Sequence, residues 1–464
     1  MGCASSSQAK ATGAVVQEEK PKQTPNTSTA SNGGTTHNHP SLHKASSDER
    51  PLKFLPTTQV TLGRCGTIKY ACCSRKGREP DDLRKANQDS YGVHGPPFCK
   101  QEQDAFFGVY DGHGAVGHHC SQFVRRHLPT YIETAMHDQF DLVLSTDQIH
   151  GALSKAHVEC NEALHASKEI DDYYSGTTAI SVYVHGQQGQ ITIANVGDSR
   201  AIMGTQAQGN TAIPITPAST TNFALTAFSL SQDQTPKRPE EAQRCIDHGA
   251  RILSFGQLMP DPDDEGEDEE DPPRVWAQNG RSPGTAFTRS LGDAVAEKLG
   301  VHAEPELLTL KLSDKEKIIV LASDGVWDVL SNQHVIDLAC QYADPLEACR
   351  ALVDASHEEW LKNEECTDEE HASYDDMTVI CIYLNALWED IAAATAANAA
   401  SDEEVDQPQS FQERKKRVRQ KTLRNLEEMK SSSQAGPAET NEENKGPPTE
   451  TNETLNANEK EETK

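Results

Sequence analysis

Four runs of strand-forming residues in this chain of 464 residues each carry an aspartate at or beside one end. The run 106–110 leads into Asp111-Gly112-His113-Gly114, and 191–196 leads into Gly197-Asp198-Ser199-Arg200. The run 318–322 leads into Ser323-Asp324-Gly325, and Tyr374-Asp375-Asp376 opens the run 377–382. An apolar strand that stops in a carboxylate puts a hard oxygen ligand at the rim of a core. Several such rims brought together repel unless a cation lies between them. The pattern points to a metal-dependent enzyme working on an anionic substrate. Asp111-Gly112-His113-Gly114 is the densest group. Asp111 can bridge two cations through its two oxygens, the glycines allow a sharp turn and bring a carbonyl to a ligand, and His113 can hold a proton near neutral pH. Alone, the tetrapeptide also fits a plain turn after a strand.

Holding these rims together requires a layered scaffold, and residues 59–388 supply its parts. Apolar residues recur at helical spacing over 121–136 and 148–168. Asp344-Pro345-Leu346-Glu347 is a helix start, with Asp as N-cap, Pro at the first helical position and Glu three residues after the cap. That helix is expected to reach Leu361, with Leu346, Cys349, Leu352, Val353 and Trp360 facing inward. Strands and helices come in blocks instead of alternating strictly, which favours an α+β layered fold over a doubly wound sheet.

The net charge of −29 argues against a nucleic-acid partner, because phosphate backbones demand a basic face. It leaves room for a phosphorylated substrate, since a metal supplies positive charge locally. Only 35% of residues are apolar, so part of the chain is expected to stay unpacked. Twelve cysteines without a C-x-x-C pair or regular framework read as reduced intracellular thiols. No run approaches the ~18 apolar residues of a membrane span.

Residues 1–58 and 396–464 read as polar, low-complexity tails. Met1-Gly2-Cys3-Ala4-Ser5-Ser6 fits the myristoylation pattern at Gly2, and Cys3 beside it is a palmitoylation candidate, two chains being what a stable anchor needs. The expectation is a cytoplasmic protein tethered to a membrane surface through its N-terminus. The basic segment 414–421 fits a charged solvated helix, an anionic-membrane contact, a nuclear import signal or a clamp onto an acidic insert. Two inserts interrupt the central domain. The first, 205–222, is rich in Thr, Pro, Gly and Gln. The second, about 259–273, holds nine carboxylates in the eleven positions 261–271 but lacks the spacing of a calcium loop.

Further blocks follow in order along the chain. They are Arg84-Lys85-Ala86-Asn87-Gln88-Asp89, Ser175-Gly176-Thr177-Thr178-Ala179, Thr288-Arg289-Ser290-Leu291-Gly292-Asp293 and Ser323-Asp324-Gly325-Val326-Trp327-Asp328. Together with the aspartate rims, they make the chain resemble the metal-dependent Ser/Thr protein phosphatases of type 2C over about 60–388. The resemblance implies a four-layer α-β-β-α sandwich with two central antiparallel sheets and a dimetal site at one edge. It implies two Mg²⁺ or Mn²⁺ ions held by Asp111, the Gly112 carbonyl, Asp324 and Asp375, with waters completing the shells. It further implies a weaker third ion near Asp198, Asp324 and Asp328, and a role for Asp89 in hydrogen-bonding metal-bound water. In that scheme a hydroxide held between cations ~3.5–4 Å apart attacks phosphoserine or phosphothreonine in line, with no phosphoenzyme. Arg84 grips the phosphate and His113 protonates the leaving oxygen. Protein substrates and a monomeric state are expected. Arg289 and Asp293 are expected to organise the loop that precedes the metal centre, and Trp327 to anchor the core. Two positions depart from the family pattern. Gln88 stands where many members carry Glu, and Asp376 where Asn is usual, and the extra charge of Asp376 is expected to tighten a cation or shift a water. A non-catalytic phosphoprotein-binding module and a metal phosphodiesterase are the competing readings.

Overall fold

The computed structural model describes residues 17–18, 52–80, 82, 84–136, 144–206, 225–259, 271–363, 372–387 and 389–391. Gly2, Cys3, nearly all of both inserts and the whole of 396–464, including 414–421, lie outside the described residues.

Side-chain alternation builds two sheets back to back. All six residues of the strand Ala105–Tyr110 are buried. Phe107 and Val109 point into the cluster between the sheets, whereas Phe106 and Tyr110 point to the outer cluster under two helices. Ala179–His185 repeats the pattern, with Ile180, Val182 and Val184 inward and Ala179 and Tyr183 outward. These two strands pair antiparallel in a five-stranded sheet that also holds Ser90–His94, Gln190–Val196 and Glu306–Lys311.

The facing sheet has seven strands in the order Gln17–Glu18, Lys53–Thr61, Thr67–Arg75, Met377–Tyr383, Glu316–Ala322, Arg200–Gln206 and Leu225–Ser229. Ile319, Leu321, Ile380 and Ile382 close the inter-sheet core from this side. Helices Gly117–Met136 and Thr146–His165 pack on the five-stranded sheet, while Asn332–Ala339 and Pro345–Asn363 pack on the seven-stranded one. The result is the expected α+β arrangement of helices and antiparallel sheets.

Asp344 caps the last of these helices as expected, its Oδ1 accepting from Leu346 N at 2.8 Å and Glu347 N at 3.3 Å. Cys349, Leu352 and Val353 are buried, whereas Leu346 and Trp360 are half-buried. One boundary moves. The strand Lys53–Thr61 starts ahead of the expected domain edge at 59 and pairs with Gln17–Glu18. Phe54 and Leu55, isolated apolar residues in a polar stretch, are buried there, and that burial draws the segment into the sheet.

A smaller unit projects from the sandwich: the helix Pro239–Asp247 and a sheet of Ala250–Leu253, Arg274–Ala277 and Pro283–Thr285. Its joint to the sandwich is Glu241. This carboxylate is almost fully buried and receives Arg244, Arg289 and the Thr288 hydroxyl at 2.6 Å each. Their hydrogen bonds outweigh burial and hold it well below the usual carboxylate range. Arg289 thus organises its loop by gripping this unit. The ten described cysteines are all buried and free, and no described helix is long and apolar enough to cross a membrane.

Candidate active site

Antiparallel pairing explains why the rims meet. Ala105–Tyr110 and Gln190–Val196 both lie antiparallel to Ala179–His185, so Asp111 and Asp198 leave the same end of the five-stranded sheet. In the facing sheet Glu316–Ala322 ends where Met377–Tyr383 begins, with Ala322 opposite Val379. That places Asp324 beside Asp375 and Asp376. Asp324 also opens the short helix Asp324–Trp327. The Trp360 indole, donating to Gly325 O at 2.8 Å, ties that helix to Pro345–Asn363. Trp327 is buried and donates to Ala322 O, so it anchors the core as expected.

Hydroxyls and backbone amides hold the rim in place. Asp111 N donates to Thr178 Oγ1 at 3.1 Å, Thr178 N donates to Asp111 O at 2.8 Å, and Thr178 shares its hydroxyl with Ser199. Gly112 is obligatory: a Cβ there would stand 2.3 Å from Gly117 O and 2.6 Å from Gln88 O. Gln88, buried, donates through Nε2 to Gly114 O at 2.6 Å, and its own carbonyl accepts from Ser121. A glutamate at this position would have no proton to give that carbonyl when ionised, so the neutral amide suits the turn.

The carboxylates themselves form a negative centre. Asp111 and Asp324 meet side by side. Burial, then Asp324, Asp89 and Asp375, pushes the Asp111 carboxyl well above the usual range. Burial, then Asp375, Asp198 and Asp328, does the same to Asp324. Asp89 is pushed up to about 8 by burial and by Asp376, and Asp198 to about 7 by burial, Asp233 and Asp328. Asp328 is pushed up to about 6 by burial, then Asp375 and Asp233, and Asp375 is raised by burial. Asp328 and Asp375 are exposed at the surface, yet the protein and carboxylates around them disfavour their charge. Asp324 Oδ1 and Asp89 Oδ1 are buried without a hydrogen-bond partner, while Asp89 Oδ2 accepts from Ser323 at 2.7 Å. Unpaired buried carboxylate oxygens of this kind fit divalent cations. Among the described residues no three His, Cys, Asp or Glu side chains form a closed metal cage. A hard ion that keeps most of its waters needs only a few protein oxygens, so an open aspartate rim suits Mg²⁺ or Mn²⁺.

His113 lies on the same turn. Its Nε2 is 2.6 Å from Asp293 Oδ2, and its ring packs on Phe287 at 4.4 Å between centroids. Asp293 is buried, adopts a left-handed backbone (φ 54°, ψ 50°), and donates its N–H to Ser175 O. The expected loop-organising role of Asp293 is therefore sharper than the sequence implied, because it orients His113. Spacing along the chain gives no hint of this pair, which lies 180 residues apart. Asp376 also departs from expectation. Its Oδ1 accepts from Gly77 N at 2.5 Å and its Oδ2 from Gln88 N at 2.7 Å, so its charge is committed to two backbone donors and not to a cation. Asp233 is a residue that sequence reasoning missed. It grips Arg200 (Nε to Oδ1 2.8 Å) and adds charge beside Asp198 and Asp328. The Arg84 side chain is exposed and without a hydrogen bond or ion pair among the described residues.

Comparison with known proteins agrees with this geometry. The family model described as Protein phosphatase 2C matches residues 81–364. Probable protein phosphatase 2C 35 of Arabidopsis thaliana is 39% identical over 351 residues, covering 73% of this chain and 89% of the relative. Probable protein phosphatase 2C 64 of Oryza sativa subsp. japonica is 30% identical over 311 residues, covering 67% of this chain and 65% of the relative. Among solved structures, a serine-threonine phosphatase 2C from Toxoplasma gondii shares the fold with a TM-score of 0.54 at 18% identity, over 71% of this chain and 99% of that one. Fold, rim and relatives agree: the chain belongs to the protein phosphatase 2C family.

Proposed function

We propose that this phosphatase removes phosphate from phosphoserine and phosphothreonine in protein substrates in a single in-line displacement that depends on Mg²⁺ or Mn²⁺. The observation that carries this reading is the pairing of Asp111 and Asp324 from opposite sheets, with unneutralised, partly orphaned carboxylate oxygens between them. Asp111, the Gly112 carbonyl, Asp324 and Asp375 would hold two cations, and Asp198 and Asp328 a weaker third. Bound there, the cations supply charge neutralisation for the phosphoryl group and an activated water.

The chain's own residues do the rest. Arg84 would bring its exposed planar fork to the phosphate oxygens. With Nε2 of His113 held by Asp293, Nδ1 would be the atom left to donate a proton to the departing Ser or Thr oxygen. Asp89, fixed through Ser323, keeps Oδ1 available to orient a water. Thr178 and Ser199 keep Asp111 from drifting.

The test is phosphate release from a phosphothreonine peptide by the purified chain, with Mn²⁺ and with EDTA. Metal-dependent turnover that disappears in Asp111→Asn is expected. Turnover that persists in EDTA, or an Asp111→Asn variant as active as the parent, would overturn the reading. We further propose that acylation at Gly2 and Cys3 tethers the enzyme to the cytoplasmic face of a membrane, as the N-terminal pattern supports.

A further inference from the structure

Two tyrosines stand open to solvent beside the catalytic turn. Tyr173 is 49% exposed and Tyr174 52%, in a fold that buries most of its large rings. Their rings meet edge to face, 4.8 Å apart and at 89°, and so make one continuous aromatic surface. The backbone beneath them is fixed on both sides. Tyr174 O presses against Gly114, where a Cβ would stand 2.2 Å away. Ser175 Oγ accepts from Val116 N, and Ser175 O accepts from the N–H of Asp293, the residue that orients His113. On the other side Tyr173 O accepts from Val295 N, and Tyr173 N donates to Asp171 Oδ1. Exposed aromatic rings on a rigid backbone bind at low entropic cost.

Their position decides what would bind. His113 acts on the leaving oxygen, and that oxygen belongs to the substrate's own Ser or Thr. The substrate backbone must therefore run along the His113 side of the site, the side on which the backbone of Tyr174 and Ser175 packs. Lys298 Nζ lies 5.5 Å from the centre of the Tyr173 ring and Asp171 is exposed beside it, so charges of both signs flank the rings and neither sign is favoured. The uncharged aromatic surface then decides, and it favours an apolar side chain. We propose that Tyr173 and Tyr174 form a subsite for a large apolar side chain next to the phosphorylated residue of the substrate. This deepens the phosphatase reading and rests on it.

The test uses two phosphothreonine peptides that differ only in the residues flanking the phosphothreonine, leucine in one and glycine in the other. The full chain and its Tyr173→Ser/Tyr174→Ser variant are assayed with Mn²⁺. The parent is expected to prefer the leucine peptide in kcat/KM, and the double variant to lose about tenfold of that preference. Because the readout is a ratio within each protein, it is independent of the fraction that folds. A ratio equal in parent and variant would overturn the subsite while leaving the phosphatase reading standing. Failure of the parent to release phosphate from either peptide with Mn²⁺ would overturn the phosphatase reading, and the subsite with it.

Discussion

Asp293→Asn separates the orientation of His113 from its presence. The carboxylate is buried and its Oδ2 lies 2.6 Å from Nε2 of the imidazole. Asparagine keeps the volume, and it tolerates the left-handed backbone at φ 54° that most side chains resist. What is lost is the charge that holds a protonated ring. A hydrogen bond to a charged group is worth roughly 1.5–3 kcal/mol, which is about 10- to 150-fold in rate if the contact acts in the transition state. The substitution is measured as kcat on a phosphothreonine peptide and on p-nitrophenyl phosphate at saturating Mn²⁺. The peptide releases an alkoxide that needs a proton, whereas nitrophenolate leaves without one. The loss should therefore fall in that range on the peptide and be much smaller on the aryl ester. In a His113→Gln background Asp293→Asn should cost little more, because the two act as one unit. Equal losses on both substrates, or losses that multiply in the double variant, would refute the idea that Asp293 works through His113.

Three further outcomes follow from the same contacts. His165 Nδ1 lies 2.5 Å from Asp172 and its Nε2 3.4 Å from Glu297. The hydrogen bond to Asp172 and then the nearby Glu297 carboxylate push it up to about 10, above its ordinary value near 6.5. The stabilisation this gives is full below about pH 6.5 and is lost as the pH rises towards 10, so His165→Gln should cost about 1–2 kcal/mol at pH 6 and almost nothing near pH 10.5 in denaturant titrations. Glu241→Gln leaves Arg244 and Arg289 without their buried counter-ion and should destabilise the fold by about 3–5 kcal/mol, read as a fall in Tm; a shift under about 1 kcal/mol would mean that the joint is not a cooperative unit. Gly2→Ala should move the expressed chain from the membrane to the soluble fraction, and an unchanged distribution would remove the lipid tether.

The parts of the site that were legible in the sequence were those carried by local pattern. A strand-forming run ending in Asp111, Asp198 or Asp324 shows both its period and its terminal carboxylate, and antiparallel pairing then brings those ends together. The cap at Asp344 was equally local, since its partners are two and three residues away. What stayed hidden was pairing between distant segments. Asp293 read only as an organiser of the loop before the rim and Glu241 carried no signal at all, and only the folded chain brings one to His113 and the other to Arg289 and Thr288. Phe54 and Leu55 were lost for a related reason, because two apolar residues in a polar stretch make no periodic signal, yet a strand one place in from the sheet edge needs no more.

Asp375 and Asp376 show why residue type alone cannot assign a metal ligand. The two are adjacent and chemically identical, and either could stand in for the other in a motif. Asp376 has spent both oxygens on Gly77 N and Gln88 N, locking the strand Thr67–Arg75 and the 84–89 segment to the start of Met377–Tyr383. Among the described residues Asp375 accepts only the N–H of its neighbour, and it faces the rim with Asp324 and Asp328. The same division runs through the fold. Asp104 is satisfied by the Tyr183 hydroxyl and Gly186 N, Glu241 by two arginines, and Asp293 by His113. Asp111 and Asp324 have chiefly each other. Asp89 keeps one buried oxygen unpaired beside them, so the acids left without a counter-charge gather at this rim, at a cost in stability. A proton or a bound cation relieves that repulsion, so the partner count, more than the sequence motif, supports the proposed cation sites.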